Sequence, residues 1–255
     1  MEEKLDNHYD QAADEYNEAY HSGVRAKIRN RIIFSSLERL LRGESKRVLD
    51  AGGGTGFFSI PYAKKGHEVV VLDTSKRMLE KAVENARKND VLGNVVAVGG
   101  SMDQLEFPDG CFDVILCHLA FGYTEPSKTL REFHRVLTQR GYLSLTAANK
   151  DFHVISESLK GNLIKAEKIL DSSIFHQSPP GIPPIRTFTK NEIVKLCTAA
   201  RFKVLHVKGI RIISDYTPEL PKKTQTLENL EMKLSEKEEF SSIGRHIYLL
   251  CDKLQ

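Results

Sequence analysis

Four glycines in five residues, Gly52, Gly53, Gly54 and Gly56, follow one aspartate, Asp50, and precede another, Asp73. Glycine adopts backbone conformations that other residues avoid and lets the main chain come close to a ligand, so this run suits a nucleotide-like cofactor. The phosphate-binding patterns do not match. GxxxxGK[ST] is absent, and a dinucleotide fingerprint begun at Gly52 would place its third glycine where Phe57 stands. What remains is Asp50-x-Gly52-x-Gly54-x-Gly56. A carboxylate just ahead of the loop is unfavourable beside a pyrophosphate and favourable beside an ammonium or sulfonium group. Asp73 ends the next apolar run, a position from which a carboxylate accepts hydrogen bonds from ribose hydroxyls.

These residues need elements to hold them, and the flanking sequence has the pattern. From Arg47 onward, the β-branched runs RVLDA, EVVVLD, NVVAV, FDVILC and YLSLTAAN alternate with helical patterns such as SKRMLEKAVENARKN and PSKTLREFHRVL. That alternation predicts an α/β fold with a mostly parallel, doubly wound sheet and crossover helices. Upstream, residues 7–41 read as helices that cover the sheet. Downstream, a helical stretch over about 152–170 leads into SPPGIPPIRTFT, residues 178–189, whose prolines and glycine argue against regular structure. A helix at TKNEIVKLCTAA, a strand at FKVLHVKGIRII and a last strand at RHIYLLCD follow.

The chain has 255 residues, 40% of them hydrophobic, which is enough for one α/β domain with additions. Its net charge of +3, from 37 basic and 34 acidic residues, gives no global field for nucleic acid or membrane. Local asymmetry is larger. Residues 1–20 hold seven acids against one lysine, 21–47 hold eight basic residues against two acids, and 185–223 hold nine against three. The two basic segments could face phosphates, or simply be solvated. Cys111, Cys117, Cys197 and Cys251 lack CxxC spacing and read as reduced and mostly buried. The N-terminus has no basic-then-apolar leader, and no apolar run approaches the roughly 20 residues of a membrane helix, so the expected location is cytoplasmic.

Asp50, the glycine spacing and Asp73 together resemble the class I S-adenosylmethionine-dependent methyltransferases, over about residues 29–149. The resemblance implies a Rossmann-like fold in a single domain spanning 1–255. Its parts would be a helical cover (1–45), a cofactor-binding core (46–149) and substrate-side additions with closing strands (150–255). It implies S-adenosylmethionine as the cofactor, held by Asp50, Gly52, Gly53, Gly54, Gly56 and Asp73, and no metal. Arg29, with Ile32 three residues on, is expected to reach the cofactor carboxylate; otherwise it is a surface helix arginine. The loop 99-GGSMDQLEF-107 would cradle adenine. The pattern usually carries an acid after the glycine where this chain has Ser101, which leaves the contact between the Met102 backbone and Asp103. His118, after the fourth strand, would face the cofactor; the alternative is a histidine satisfied in a turn.

Outside the core, 208-KGIRIISDYTPEL-220, the closing LENLEMKLSEKEEFSSIGRHIYLL and the Gly66-His67 pair before the second strand resemble the bacterial enzymes that methylate 5-carboxymethoxyuridine at the tRNA wobble position. That likeness implies a tRNA partner and a carboxylate acceptor, already ionised at neutral pH and in need of no general base. Arg211 and Arg245 would orient the carboxylate and Tyr216 would stack on a base. Arginine suits this role because its fork grips a carboxylate with two parallel bonds. Two other readings stay open: a small-molecule O- or N-methyltransferase, and a non-catalytic S-adenosylmethionine-binding protein.

Overall fold

Alternation of apolar side chains within β1 (Arg47–Ala51) turns Val48 to one face of a sheet and Leu49 and Ala51 to the other. Both faces are buried, as a parallel sheet requires. The computed structural model describes residues 8–38, 40–175, 183–217 and 224–254, with the backbone alone at 17–19. Strands β2 (Glu68–Asp73), β3 (Val95–Gly99), β4 (Phe112–Cys117) and β5 (Leu137–Asn149) join β1 in the parallel order β3-β2-β1-β4-β5. A short pair follows in sequence, β6 (Ile174–Phe175) and β7 (Ile185–Phe188), and β7 meets β5 only at Ala148 and Asn149. The sheet is completed by β8 (Phe202–Ile210) and β9 (His246–Lys253), with β9 antiparallel between β5 and β8. This is the Rossmann-like, mostly parallel sheet that the run pattern predicts.

Helices cover both faces. On one face, residues 8–12, α1 (Tyr16–His21) and α2 (Gly23–Leu37) form the N-terminal cover, and α2 presses Ile28, Ile32, Ile33 and Leu37 against Val48, Val69, Val114 and Tyr248. The same layer holds α3 (Ser59–Ala63), α4 (Lys76–Lys88) and α9 (Gln225–Ser235). On the other, α5 (Pro126–Val136) and α8 (Lys190–Ala199) bury Leu130, Phe133, Ile193 and Cys197 against Ile115, Leu143 and Leu249.

Acids clip the cover to α4. Asp10 accepts the Ser75 hydroxyl at 2.5 Å and the Arg77 N–H at 3.2 Å, while Asp14 bridges Arg77 at 3.1 Å and Lys81 at 2.7 Å. The acidic asymmetry of 1–20 is therefore matched by a basic helix; residues 1–7 lie outside the described part. Four cysteines are free, with Cys117, Cys197 and Cys251 buried.

Three details depart from the sequence reading. In the proline-rich stretch, 178–182 lie outside the described residues, but Ile185–Phe188 is a strand. Pro183 and Pro184 precede it, so their missing N–H groups interrupt no ladder bond. The strand expected to run to Ile213 stops at Ile210, because the Glu231 carboxylate accepts the N–H groups of Ile212, Ile213 and Ser214 at 2.7–3.0 Å and bends them away. The stretch 152–170 is two helices, α6 (Lys150–Leu159) and α7 (Leu163–Asp171), divided at Gly161, whose φ of 80° ends the first.

Candidate active site

The glycine loop leaves the carboxyl end of β1 and is bent by main-chain bonds: the N–H groups of Gly52 and Gly53 both donate to Leu72 O, at 2.8 and 3.0 Å. Gly52 has a φ of 71°, and a Cβ there would lie 2.4 Å from that of Ala120 and 3.2 Å from Met102 Cε. At Gly54, also left-handed, a Cβ would make an ordinary contact of 3.9 Å with Met78 Sδ. Gly56 lets the loop approach α4, where a Cβ would be 3.4 Å from that of Ala82. Behind the loop, Asp50 is buried and accepts the Ser59 hydroxyl at 2.6 Å; a Cβ on Gly53 would fall 2.9 Å from its Cγ. Burial pushes the Asp50 carboxyl up to about 7, against the lowering effect of Ser59.

In front of the loop opens a cavity lined by Gly52, Gly54, Asp73, Met102 and His118. Asp73, at its edge, accepts the N–H groups of Gly54 at 2.9 Å and Ser75 at 3.0 Å. A carboxylate oxygen has more than one lone pair, so these bonds leave capacity for a ligand hydroxyl. Met102 and Asp103 line the opposite wall. The Asp103 carboxylate accepts the Thr129 hydroxyl and, at 3.1 Å, the Glu125 N–H, which ties that loop to the start of α5. His118 forms part of the floor. Its Nε2 lies 3.3 Å from Ser144 Oγ, its Nδ1 has no partner among the described residues, and burial followed by the Arg29 charge lowers its pKa to about 3. A neutral imidazole with one unspent nitrogen therefore meets the cavity.

A second constellation lies beside this one and is cationic. Arg211, with a φ of 59°, grips Asp215 with Nε and a terminal nitrogen, both at 2.5 Å. Arg245 reaches the same carboxylate only at 3.5 Å, lies 5.4 Å from the centre of the Phe152 ring, and has a side chain 36% exposed against 15% for Arg211. Arg29 is buried, with its guanidinium donating to Tyr20 O at 2.7 Å and Asn30 Oδ1 at 3.0 Å and lying 3.0 Å from His21 Nδ1. Burial, then Arg211 and Arg245, bring its pKa down to about 10. Tyr216 donates to Ile243 O at 3.0 Å and meets Phe152 at 5.4 Å between ring centres.

A family model described as a methyltransferase domain matches residues 49–145, the segment that carries the loop, Asp73 and β4. A tRNA 5-carboxymethoxyuridine methyltransferase of Escherichia coli O157:H7 is 26% identical over 98% of this chain and 97% of its own. A ubiquinone/menaquinone biosynthesis C-methyltransferase of Vibrio campbellii is 33% identical, but over 52% of this chain and 49% of its own. Among solved structures, a 1,6-didemethyltoxoflavin-N1-methyltransferase of Burkholderia thailandensis with bound S-adenosylhomocysteine superposes with a TM-score of 0.63 at 15% identity, covering 99% of this chain and 88% of that one. The chain is an S-adenosylmethionine-dependent methyltransferase. The residues of this methyltransferase's cavity fit that cofactor: Gly52 leaves no room for a side chain, the Asp73 carboxylate stands at the edge, and His118 Nδ1 has no partner among the described residues.

Of the residues named from sequence, Gly52, Gly54, Asp73, Met102, Asp103 and His118 line the methyltransferase cavity together. Asp50, Gly53 and Gly56 stand behind or under the loop, and Arg29 lies in the cover rather than on the surface. Arg211, Arg245 and Tyr216 gather around Asp215 and Phe152. Several lining residues escaped the sequence reading. Tyr9, Tyr16 and Tyr123 form an aromatic wall, with ring centres of Tyr9 6.0 Å from each of the other two. The signal was faint: tyrosines at 9, 16 and 20 fall on a recurring helical face. Leu119, left-handed at φ 66° and held by its N–H to Thr146 Oγ1 at 2.8 Å, had no signal at all. Among the described residues, no group of three possible ligands could hold a metal and no helix could cross a membrane.

Proposed function

We propose that this methyltransferase esterifies the carboxylate of a carboxymethoxy-modified wobble uridine in tRNA. The observation that carries the reading is the Arg245 guanidinium, accessible to an incoming anion and held, among the described residues, by one long bond to Asp215. Arg29, Arg211 and Arg245 each perturb half-buried His246, and the Asp215 carboxylate is the acid that bonds the last two. Such an excess of positive charge attracts an anionic acceptor.

Bound S-adenosylmethionine supplies a methyl group on a sulfonium, to which a carboxylate oxygen forms a bond as the carbon–sulfur bond breaks. The chain's own residues align and exclude. Asp73 and the loop fix the donor at the strand ends, where ligands of open parallel sheets lie. Arg245 turns the acceptor oxygen inward, and Phe152 and Tyr216 offer flat faces to a base. Burial keeps water from screening two opposite charges that meet as they react. No base is required, and His118 and His153, both lowered to about 3 by burial, are poor bases at neutral pH. The relative from Escherichia coli matches along nearly its full length, which also supports a tRNA acceptor. The basic segment 185–217 supports it less than its composition suggests, since Lys190 and Lys208 are bridged to Glu238 at 3.1 Å and Glu236 at 2.6 Å; residues 218–223 lie outside the described part.

Mass spectrometry of wobble nucleosides from a deletion strain tests the proposal. Loss of the methyl ester, restored by adding the enzyme and S-adenosylmethionine to that tRNA, is the expected result. Unaltered nucleosides, with turnover in a metabolite extract instead, would move the acceptor to a small molecule.

A further inference from the structure

Asp215 is an odd residue to find in a region that should attract an anion. It is buried to 9% exposure, lies against both arginines, and takes the whole fork of one of them. Arg211 itself cannot easily turn elsewhere. Its left-handed φ of 59° persists only where the surroundings fix it. They do so on three sides: the Asp215 fork, the Arg245 N–H donating to Arg211 O at 3.2 Å, and Glu231 accepting the next three N–H groups. Arg25 also holds the segment, donating to Ser214 O at 2.9 Å and Thr217 O at 3.1 Å. The fixed carboxylate therefore leaves one guanidinium, Arg245, for an incoming group.

We infer that Asp215 is a specificity residue: it makes the acceptor region accept a singly charged carboxylate and reject a dianion such as sulfate or phosphate. The inference rests on the acceptor reading above. A carboxylate beside Arg245 gives two anions against two guanidiniums, with Arg25 and Arg29 adding attraction from behind. A dianion in the same place doubles both its attraction to the cations and its repulsion by Asp215, while its cost of leaving water rises with the square of its charge, so the lower positive potential that Asp215 leaves favours the single charge. Without Asp215, the site would gain a positive charge and the fork of Arg211, whose geometry suits tetrahedral oxyanions as well as carboxylates. Cells hold abundant free and terminal phosphates, so an arginine cluster with no internal acid would fill with them.

Acetate and sulfate serve as probes, with affinities read from the thermal stabilisation of the full chain at constant ionic strength and saturating S-adenosylhomocysteine. The unaltered protein is expected to bind acetate at least as tightly as sulfate. Asp215→Asn should tighten sulfate about tenfold and acetate about threefold or less, because the relieved repulsion scales with ligand charge. Asp215→Glu keeps the charge and should keep the original preference. Sulfate binding as tight in Asp215→Glu as in Asp215→Asn would assign the effect to lost packing and overturn the inference. So would equal tightening of both anions, or a preference for sulfate in the unaltered protein, a result that needs no variant to fold. Arg245→Ala separates this from the reading beneath it: if acetate binding survives that change, the acceptor site itself is misplaced, whereas loss of acetate with no change of preference in Asp215→Asn sinks the specificity role alone.

Discussion

Around the glycine loop the cavity is lined by main-chain atoms, the Asp73 and Asp103 carboxylates and a neutral histidine, held by bonds of 2.9–3.3 Å to their neighbours. Beside it, Arg211 and Arg245 meet Asp215 while Arg25 holds the Ser214 and Thr217 carbonyls, and among the described residues the Arg245 guanidinium has one hydrogen bond, at 3.5 Å. The first region is complete before any ligand arrives; the second keeps an unmatched charge. The difference teaches where affinity and selectivity arise in this enzyme. On the function proposed above, a donor common to many methyltransferases is met by a rigid shape, and an acceptor peculiar to one is met by charge.

The sharpest way to break this contrast is to fill the loop. Gly52→Val should weaken S-adenosylmethionine on the order of a hundredfold or more by calorimetry, since the added atoms overlap Ala120 and the backbone is left-handed. Gly54→Ala, where the added Cβ makes an ordinary contact, should cost about tenfold through backbone strain of roughly 1–2 kcal/mol. Similar losses at both positions would mean that shape is not what the loop supplies. Next, Arg245→Ala should lower methyl transfer to a carboxylate acceptor about 30-fold, from roughly 2 kcal/mol of charged hydrogen bonding, and leave cofactor affinity within about twofold. A parallel fall in both constants would merge the two regions into one.

Asp73→Ala should do the converse, weakening the cofactor at least about tenfold for a loss of roughly 1.5 kcal/mol or more, with acetate binding at Arg245 unaltered. The smallest expected effect concerns pH. Burial holds the proton on Asp50, so its contribution to stability is present below about pH 4 and is lost as the pH rises through about 7. A sulfonium near the loop favours the ionised form instead. Cofactor affinity should therefore rise about threefold from pH 6 to pH 8, and Asp50→Asn should flatten that rise. His118, lowered to about 3, does not titrate in this window.

The two regions also differ in how far the sequence discloses them. The loop, Asp73 and the adenine-side residues sit at consecutive strand ends, so the strand pattern alone brings them together. The arginine cluster is drawn from α2, the turn after β8 and the residue before β9, with Phe152 added from α6. No periodicity reports that Arg211 faces Asp215 four residues on, or that Phe152 lies under Arg245. Strand β7 was obscured by the prolines before it, and the end of β8 by a distant glutamate, Glu231. Tyr9 and Tyr16 were read as cover, and their place in the cavity wall depends on Asp10 and Asp14 finding Ser75, Arg77 and Lys81 some 65 residues away.

That clip has a consequence for how the molecule is made. Asp10 meets Ser75 across 65 residues, and Tyr9 meets Tyr123 across a longer stretch still. Chain closure over such distances is slow and comes after local helices and neighbouring strands have formed. Residues 8–21 are thus among the last to dock, and a newly made chain would hold its sheet while the aromatic wall is still absent. Amide exchange during refolding would register this as late protection of residues 8–21 relative to β1, a delay that added cofactor should shorten by capturing the docked form.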